Sequence, residues 1–253
     1  GSRVFYQAVA VRFVIGRNCQ LKYGARLLNS VIGDNSTVSC CELLNNLIFP
    51  FHEQHHNSSF LIATTIMGQS NIAAGSTIGS NHNSRSPDGE IIAGRGFWPG
   101  LCSDFKHNSK FASFSLISKG SYQQELNICY PFSLVAPGKD SSNAIYIIPA
   151  WWFMYDMFAI VRNRYKFKKR DKRAVKIQNI EMDPLAPDTM QEVLAAIARI
   201  IELTQAKLAD FGKTFNSSEQ VDVRQIAKDY LHQHSEEDFE LFDRLCQKKY
   251  GAV

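Results

Sequence analysis

The sequence predicts a mainly β protein: a parallel β-helix of six-residue repeats over residues 1–140, followed by a smaller α-helical module over residues 141–253. Three observations carry this. Apolar residues recur every six positions at Phe60, Ile66, Ile72 and Ile78, with small or polar residues between them. Residues 1–140 hold 13 of the 15 glycines but only 19 charged residues, whereas residues 141–253 hold two glycines and 33 charged residues. The second half also carries long runs of helical periodicity. A six-residue spacing fits neither an amphipathic helix nor an alternating strand. It fits a solenoid in which each hexad is one short strand plus a turn, with its apolar residue pointing into a narrow core.

The repeats can be followed along the chain. Val9, Ile15, Leu21 and Leu27 form one six-spaced series, and Ile32-Gly33-Asp34-Asn35-Ser36-Thr37-Val38 restarts it one residue out of phase. Ile66-Met67-Gly68-Gln69-Ser70-Asn71, Ile72-Ala73-Ala74-Gly75-Ser76-Thr77 and Ile78-Gly79-Ser80-Asn81 are hexads in register. Since the series is already running by Val9, further coils or another domain are expected before residue 1. The run Ser84–Glu90 (Ser-Arg-Ser-Pro-Asp-Gly-Glu) is rich in turn formers and reads as a loop leaving the coil.

A longer repeat is laid over the hexads. His56-Asn57-Ser58, His82-Asn83-Ser84 and His107-Asn108-Ser109 repeat one tripeptide at separations of 26 and 25. A coil of eighteen plus a loop of seven or eight would give that spacing. The three histidines are therefore expected to stack on one edge of the β-helix, with the Ser84–Glu90 loop folded over them.

The hexads resemble those of the hexapeptide-repeat family, whose [Ile/Leu/Val]-Gly-x-x-[small]-x units wind a left-handed parallel β-helix, three hexads to a triangular coil. The resemblance covers roughly residues 9–135 and implies six or seven coils. Many members are acyltransferases or appendages of sugar nucleotidyltransferases, and members assemble as trimers with sites between neighbouring helices. The whole chain is also similar to an uncharacterised bacterial family of hexapeptide proteins with a helical C-terminal region. Residues 56–82 resemble the acetyltransferase domains of the N-acetylglucosamine-1-phosphate uridylyltransferase family. There a catalytic His precedes an Asn-Ile-Gly-Ala-Gly-Thr-like hexad and a polar loop. The matching pieces are His56, Asn71-Ile72-Ala73-Ala74-Gly75-Ser76 and Asn81-His82, with Phe60 in place of a substrate-binding Tyr.

Three roles suit the histidines. As a polar ladder, Asn and Ser would satisfy turn backbone groups while His packs beside them. As catalysts, His56, His82 or His107 would take a proton from an alcohol or amine during acyl transfer, which suits an imidazole with an ordinary pKa of about 6.5. As metal ligands they would hold zinc, as in the carbonic-anhydrase branch of this fold, but one His per long repeat is not a ligand spacing and no metal is expected. Asn71, Asn81, Asn83 and Asn108 are candidates to bind a substrate, and Arg85, Arg95 and Lys106 to meet a phosphate or a CoA pyrophosphate. The resemblance implies acetyl-CoA or another acyl-CoA as co-substrate, no permanently bound cofactor, and a sugar-like or sugar-nucleotide acceptor. The alternative is a non-catalytic β-helix supporting a sugar nucleotidyltransferase-like domain.

Composition limits the partners. Hydrophobic content of 45% and charged content of 21% exclude disorder and collagen-like fibres, and a net charge of +4 gives no ground for nucleic-acid binding. The six cysteines show no Cys-x-x-Cys spacing, so free thiols in a reducing, cytoplasmic setting are expected. The apolar run Ile145–Val161 is broken by Pro149 and Asp156. It predicts a buried aromatic helix on the end of the β-helix rather than a membrane span. The basic cluster 166–173 follows it. Pro187-Asp188-Thr189-Met190-Gln191 predicts a helix start with Asp188 capping, and shorter helices are expected at 218–233 and 236–249.

Overall fold

A computed structural model describes residues 1–79, 89–138 and 144–214, with side chains as far as residue 207. The expected helices at 218–233 and 236–249 and the residues Asn81, His82, Asn83 and Arg85 lie outside the described residues. The chain divides into two compact units, Gly1–Ala196 and Ile197–Val253.

In the first unit, about seven coils of parallel β-helix are followed by helical segments. Each coil has three faces. The first face carries Arg3–Val4, Gln20–Lys22, Thr37–Ser39 and Glu53–Gln54, and resumes with Trp98–Pro99, Leu116–Ile117 and Leu134–Pro137. Asn71 joins the two halves through a bridge to Glu53 and an amide bond to the Phe97 carbonyl. The second face carries Cys41–Leu44, Ser59–Ile62, Thr77–Ile78, Asp104–Phe105 and Ser121–Tyr122. The third carries Leu47–Ile48, Thr64–Ile66, Ile91–Ala93, Lys110–Phe111 and Asn127–Ile128. Two seven-residue strands, Val9–Ile15 and Arg26–Ile32, run through the corner between the second and third faces and make those faces one sheet.

The hexad apolar residues are the core. Leu21, Leu27, Ile32, Ile66, Ile72 and Ile78 are all at most 1% exposed, one per face in turn. Two expected core positions differ. Phe60 sits on the outward side of its strand while Leu61 is fully buried, because strand alternation from Ser59 places odd positions inside. Val9, in the first coil, is also exposed. Toward the last coils the filling becomes aromatic, with Phe97 against Phe111 at 4.8 Å and Phe105 stacked on Tyr122 at 5.3 Å between ring centroids.

Sharp corners require left-handed backbone. At the corner from the third face to the first, every coil places one residue there: Asn18, Asn35, Phe51, Gln69, Gly96, Phe114 and Phe132 all have φ between 50° and 73°. From Asn35 onward each of these amides donates to a carbonyl of the coil before it, so the corner column is stitched along the whole solenoid. Asparagine tolerates this conformation best among residues with a side chain, and Asn18 Nδ2 donates to Asn35 Oδ1 at 2.7 Å.

This corner is covered by the rest of the unit. The strand Ile145–Ile148 turns back antiparallel on Leu134–Pro137, ending the parallel series. Helix α1 (Trp151–Tyr155) buries Trp152 against Phe114 and Phe132. Helix α2 (Met157–Arg170) lays Phe167 on Phe51, at 5.0 Å between rings. The chain then returns along the corner. Arg173, its side chain 3% exposed, donates to Asp34 at 3.0 Å and Asp171 at 2.8 Å. Gln69 Nε2 donates to the Glu181 carbonyl. Arg95 grips Asp188 through two bonds of 2.7 and 2.9 Å, and the Ser113 amide donates to Glu192 at 2.8 Å. The apolar run 145–161 is thus one strand and two helices rather than one buried helix, and Phe158, Val161 and Tyr155 are exposed.

Helix α3 (Pro187–Thr214) begins with proline at its first position, where a missing N–H costs nothing. Asp188 therefore lies inside the first turn rather than at the cap, and its carboxylate serves Arg95. In the second unit, α3 continues with an Arg199–Glu202 ion pair of 2.7 Å.

Candidate functional site

The two described histidine tripeptides, those of His56 and His107, do not share one edge. The Gly75 amide donates to the Asn57 carbonyl and the Cys102 amide to the Ala74 carbonyl, so His56 precedes the corner between the first and second faces. His107 follows the strand Asp104–Phe105, which pairs with Thr77–Ile78 and through it with Phe60–Leu61. That places His107 at the corner between the second and third faces, a full strand beyond His56. The reason is the loop arithmetic. Most coils repeat after 16 to 18 residues, but Thr64 pairs with Ile91 and Thr77 with Asp104, 27 positions on. A single insertion, after Thr77–Ile78 and before Ile91, accounts for the excess. A separation of 51 therefore overshoots two coils. His82 belongs to this insertion, outside the described residues.

Both described tripeptides occupy corners. Ser58 and Asn108 adopt positive φ, Ser59 Oγ donates to the His56 carbonyl, and Ser109 Oγ donates to the Lys106 carbonyl while accepting from the Leu126 amide. Asn108 lines a shallow groove of about 640 Å3 with Glu90, Ile92, Lys110, Glu125, Leu126 and Asn127. Lys106 pairs with Glu125 at its edge, 3.2 Å away. Arg95 is turned to the opposite side, into its clamp with Asp188. Asn71 lies on the first face beside Glu53.

The group that does converge lies around His56. Residues 52–55 alternate in an extended stretch: His52 and Gln54 point into the solenoid, while Glu53 and His55 leave it, Glu53 still buried against Arg170 and His55 exposed. Glu53 Oε2 lies 3.2 Å from His55 Nδ1, and Glu53 Oε1 accepts from Arg170 Nη1 at 2.7 Å. The His55 and His56 rings are 4.4 Å apart. Lys166, one helical turn before Arg170, acts electrostatically on both Glu53 and His55. The carboxylate side chain is 11% exposed and the His55 ring 39%, so an anchored base meets solvent.

The charge state follows from this geometry. A proton on Nδ1 facing the carboxylate leaves the Nε2 lone pair as the basic site. Partial burial lowers the His55 pKa from its ordinary value; Glu53 opposes that, while His56 and Lys166 add to it. The lowered pKa favours the neutral ring. Lys166 is itself shifted down by burial and then by Arg170, with Glu53 opposing.

Inside the coil, His52 takes the place held by Cys19, Ser36 and Ser70 in neighbouring coils. Gln54 Nε2 donates to Ser59, so its Oε1 accepts from His52 Nε2 at 3.1 Å, and His52 Nδ1 accepts from Ser70 at 2.8 Å. Complete burial lowers the His52 pKa to about 4. This imidazole is a structural filler. Sequence reasoning passed over Glu53 and His55, although their spacing of two in a strand already put them on one side.

Among the described residues no group of three or more His, Cys, Asp or Glu is placed to hold a metal ion. The five described cysteines are free. No described helix is long and apolar enough to cross a membrane.

Fold and site together define a parallel β-helix protein with an outward Glu–His–His cluster beside a basic helix. Residues 1–204 match the family described as "Domain of unknown function (DUF4954)", and the chain belongs to it. An uncharacterized protein of Treponema pallidum (strain Nichols) is 55% identical over 193 residues, which is 76% of this chain and 26% of that protein. The chain thus spans about a quarter of that relative's length. A solved structure of AntD, an N-acyltransferase from Bacillus cereus in complex with dTDP and 3-hydroxybutyryl-CoA, aligns with 65% of this chain and 90% of its own. The TM-score is 0.43 and the sequence identity 14%.

Proposed function

We propose that this chain is a hexapeptide-type acyltransferase, moving an acyl group from a CoA thioester to a hydroxyl or amine of a sugar-like acceptor, with His55 as general base. The observation that carries the reading is the Glu53–His55 pair, 3.2 Å apart, with the ring 39% exposed and its pKa lowered so that the neutral form is favoured. Glu53 fixes the tautomer and stabilises the imidazolium formed when His55 Nε2 takes the acceptor's proton. The acceptor oxygen or nitrogen then attacks the thioester carbonyl. Collapse of the tetrahedral adduct breaks the carbon–sulfur bond, and the proton passes from His55 to the departing thiolate, giving acylated acceptor and free CoA. His56 stands beside the base in this scheme. On the same reading the chain is a trimer, and the outward column Val14, Val31, Leu47, Thr65 and Ile92 on the third face, apolar except for Thr65, supplies surface for it.

The second reading, a non-catalytic β-helix, is favoured by one observation. Arg95 and Arg173, suited to grip an anionic substrate, are both spent on internal carboxylates. A thermal-shift series with acetyl-CoA, CoA and nucleotide sugars separates the two readings. Stabilisation by the CoA ligands supports the transferase. Stabilisation by nucleotide sugars alone overturns it in favour of the supporting role. With an acceptor in hand, His55→Gln should lower the rate of CoA release by about 10²–10⁴-fold, and an unchanged rate would remove His55 from the mechanism.

A further inference from the structure

We infer that the outward row Arg162–Lys166 of helix α2 binds the phosphate groups of a diphosphate-bearing ligand whose other end reaches His55. Arg162, Lys166 and Arg170 are spaced four apart and so share one side of the helix, each roughly 6 Å from the next at Cβ. The rotation of that side is fixed. Phe167 is buried against Phe51, and Arg170 is held on Glu53, the same carboxylate that holds His55.

Three acids around the helix are already engaged. Glu53 takes Arg170 and His55, Asp183 takes Arg164, and Asp171 takes Arg173 and Lys176. Helix α2 contains no acidic residue from Met157 to Arg170. Among the described residues, neither Arg162 nor Lys166 forms an ion pair; burial, then Arg170 and Arg162, disfavour the Lys166 ammonium, against the attraction of Glu53. Glu53, the counter-charge to Lys166, is already shared by Arg170 and His55. Such a surplus of positive charge is relieved by a multiply charged anion, and two donors one helical turn apart suit two linked phosphoryl groups. The requirement that the ligand also reach His55 rests on the acyl-transfer reading. Anion binding by the row does not.

The test is calorimetric titration of the whole chain with inorganic pyrophosphate at low ionic strength. Saturable binding is expected, and the double variant Arg162→Gln/Lys166→Gln should weaken it at least tenfold. Lys168→Gln/Lys172→Gln, in the same basic run, should change it less than twofold, and His55→Gln should leave it unaltered. Binding that is missing in the wild type, or lost equally in both double variants, overturns the site. Competition then assigns the source. Displacement of pyrophosphate by CoA identifies the thioester donor, displacement by uridine diphosphate a nucleotide-bearing acceptor, and displacement by neither refutes the link to His55. If pyrophosphate binds as expected while His55→Gln leaves turnover unchanged, the anion row stands and the assigned base falls.

Discussion

Two histidines three residues apart illustrate how placement on a strand decides chemistry. His52 points inward and is kept neutral by burial, whereas His55 points outward and is aimed by a carboxylate. Because the folded pKa of His52, about 4, lies below the ordinary value of 6.5, folding opposes its protonation. Its contribution is intact above about pH 6.5 and is lost as the pH falls toward 4, by on the order of 3 kcal/mol in all. Urea denaturation from pH 7.5 to 4 should therefore show a steeper acid decline for the wild type than for His52→Gln, and parallel curves would refute it. For His55 the same reasoning applies to rate. Its depressed pKa puts the acid limb of kcat/KM below pH 6.5. Lys166→Met should move that limb up by removing a neighbouring positive charge, and Glu53→Gln should move it down while lowering kcat. A limb unmoved by either change would exclude His55 as the titrating base. His55 went unsingled at the sequence level because no spacing rule reports that Arg170, 117 residues beyond Glu53, shares the same carboxylate.

At the scale of elements, the β-helix was legible because its core demands one apolar residue per face, and Ile66, Ile72 and Ile78 display that demand without interruption. The position of the His-Asn-Ser units was not. A repeat of 25 or 26 looks like a coil with a loop, but most coils close at 16 to 18 residues and the excess occurs once, so a separation of 51 carries His107 one corner past His56. The returning segment was also hidden, since its anchors are long-range ion pairs. Arg173 is the most buried of them, enclosed with Asp34 and Asp171. Asp34→Ala leaves a buried guanidinium short of a partner, and chemical denaturation should show a loss of about 3–5 kcal/mol. A loss below about 1 kcal/mol would mean that the segment is held elsewhere. The corners set a second limit. Gly68 has φ of 89°, and a Cβ there would stand 2.3 Å from the Pro50 carbonyl oxygen. Gly68→Ala should accordingly destabilise the coil through both strain and collision, read as a lowered Tm.

For the molecule as a whole, one corner of the solenoid carries the covering helices, and the first face next to it carries the charged cluster, so α2 acts as both cover and wall of the site. The cover brings a row of cations to a place where an outward histidine has a carboxylate behind it. The central claim is that this place receives the acyl donor, and imidazole nitrogen NMR tests it most directly. Titration of uniformly ¹⁵N-labelled chain with acetyl-CoA should shift the ring nitrogens of His55 and His56 first, with His55 showing the Nδ1–H tautomer before ligand is added. Saturating acetyl-CoA that leaves both rings unmoved, or that shifts His107 alone, would contradict it.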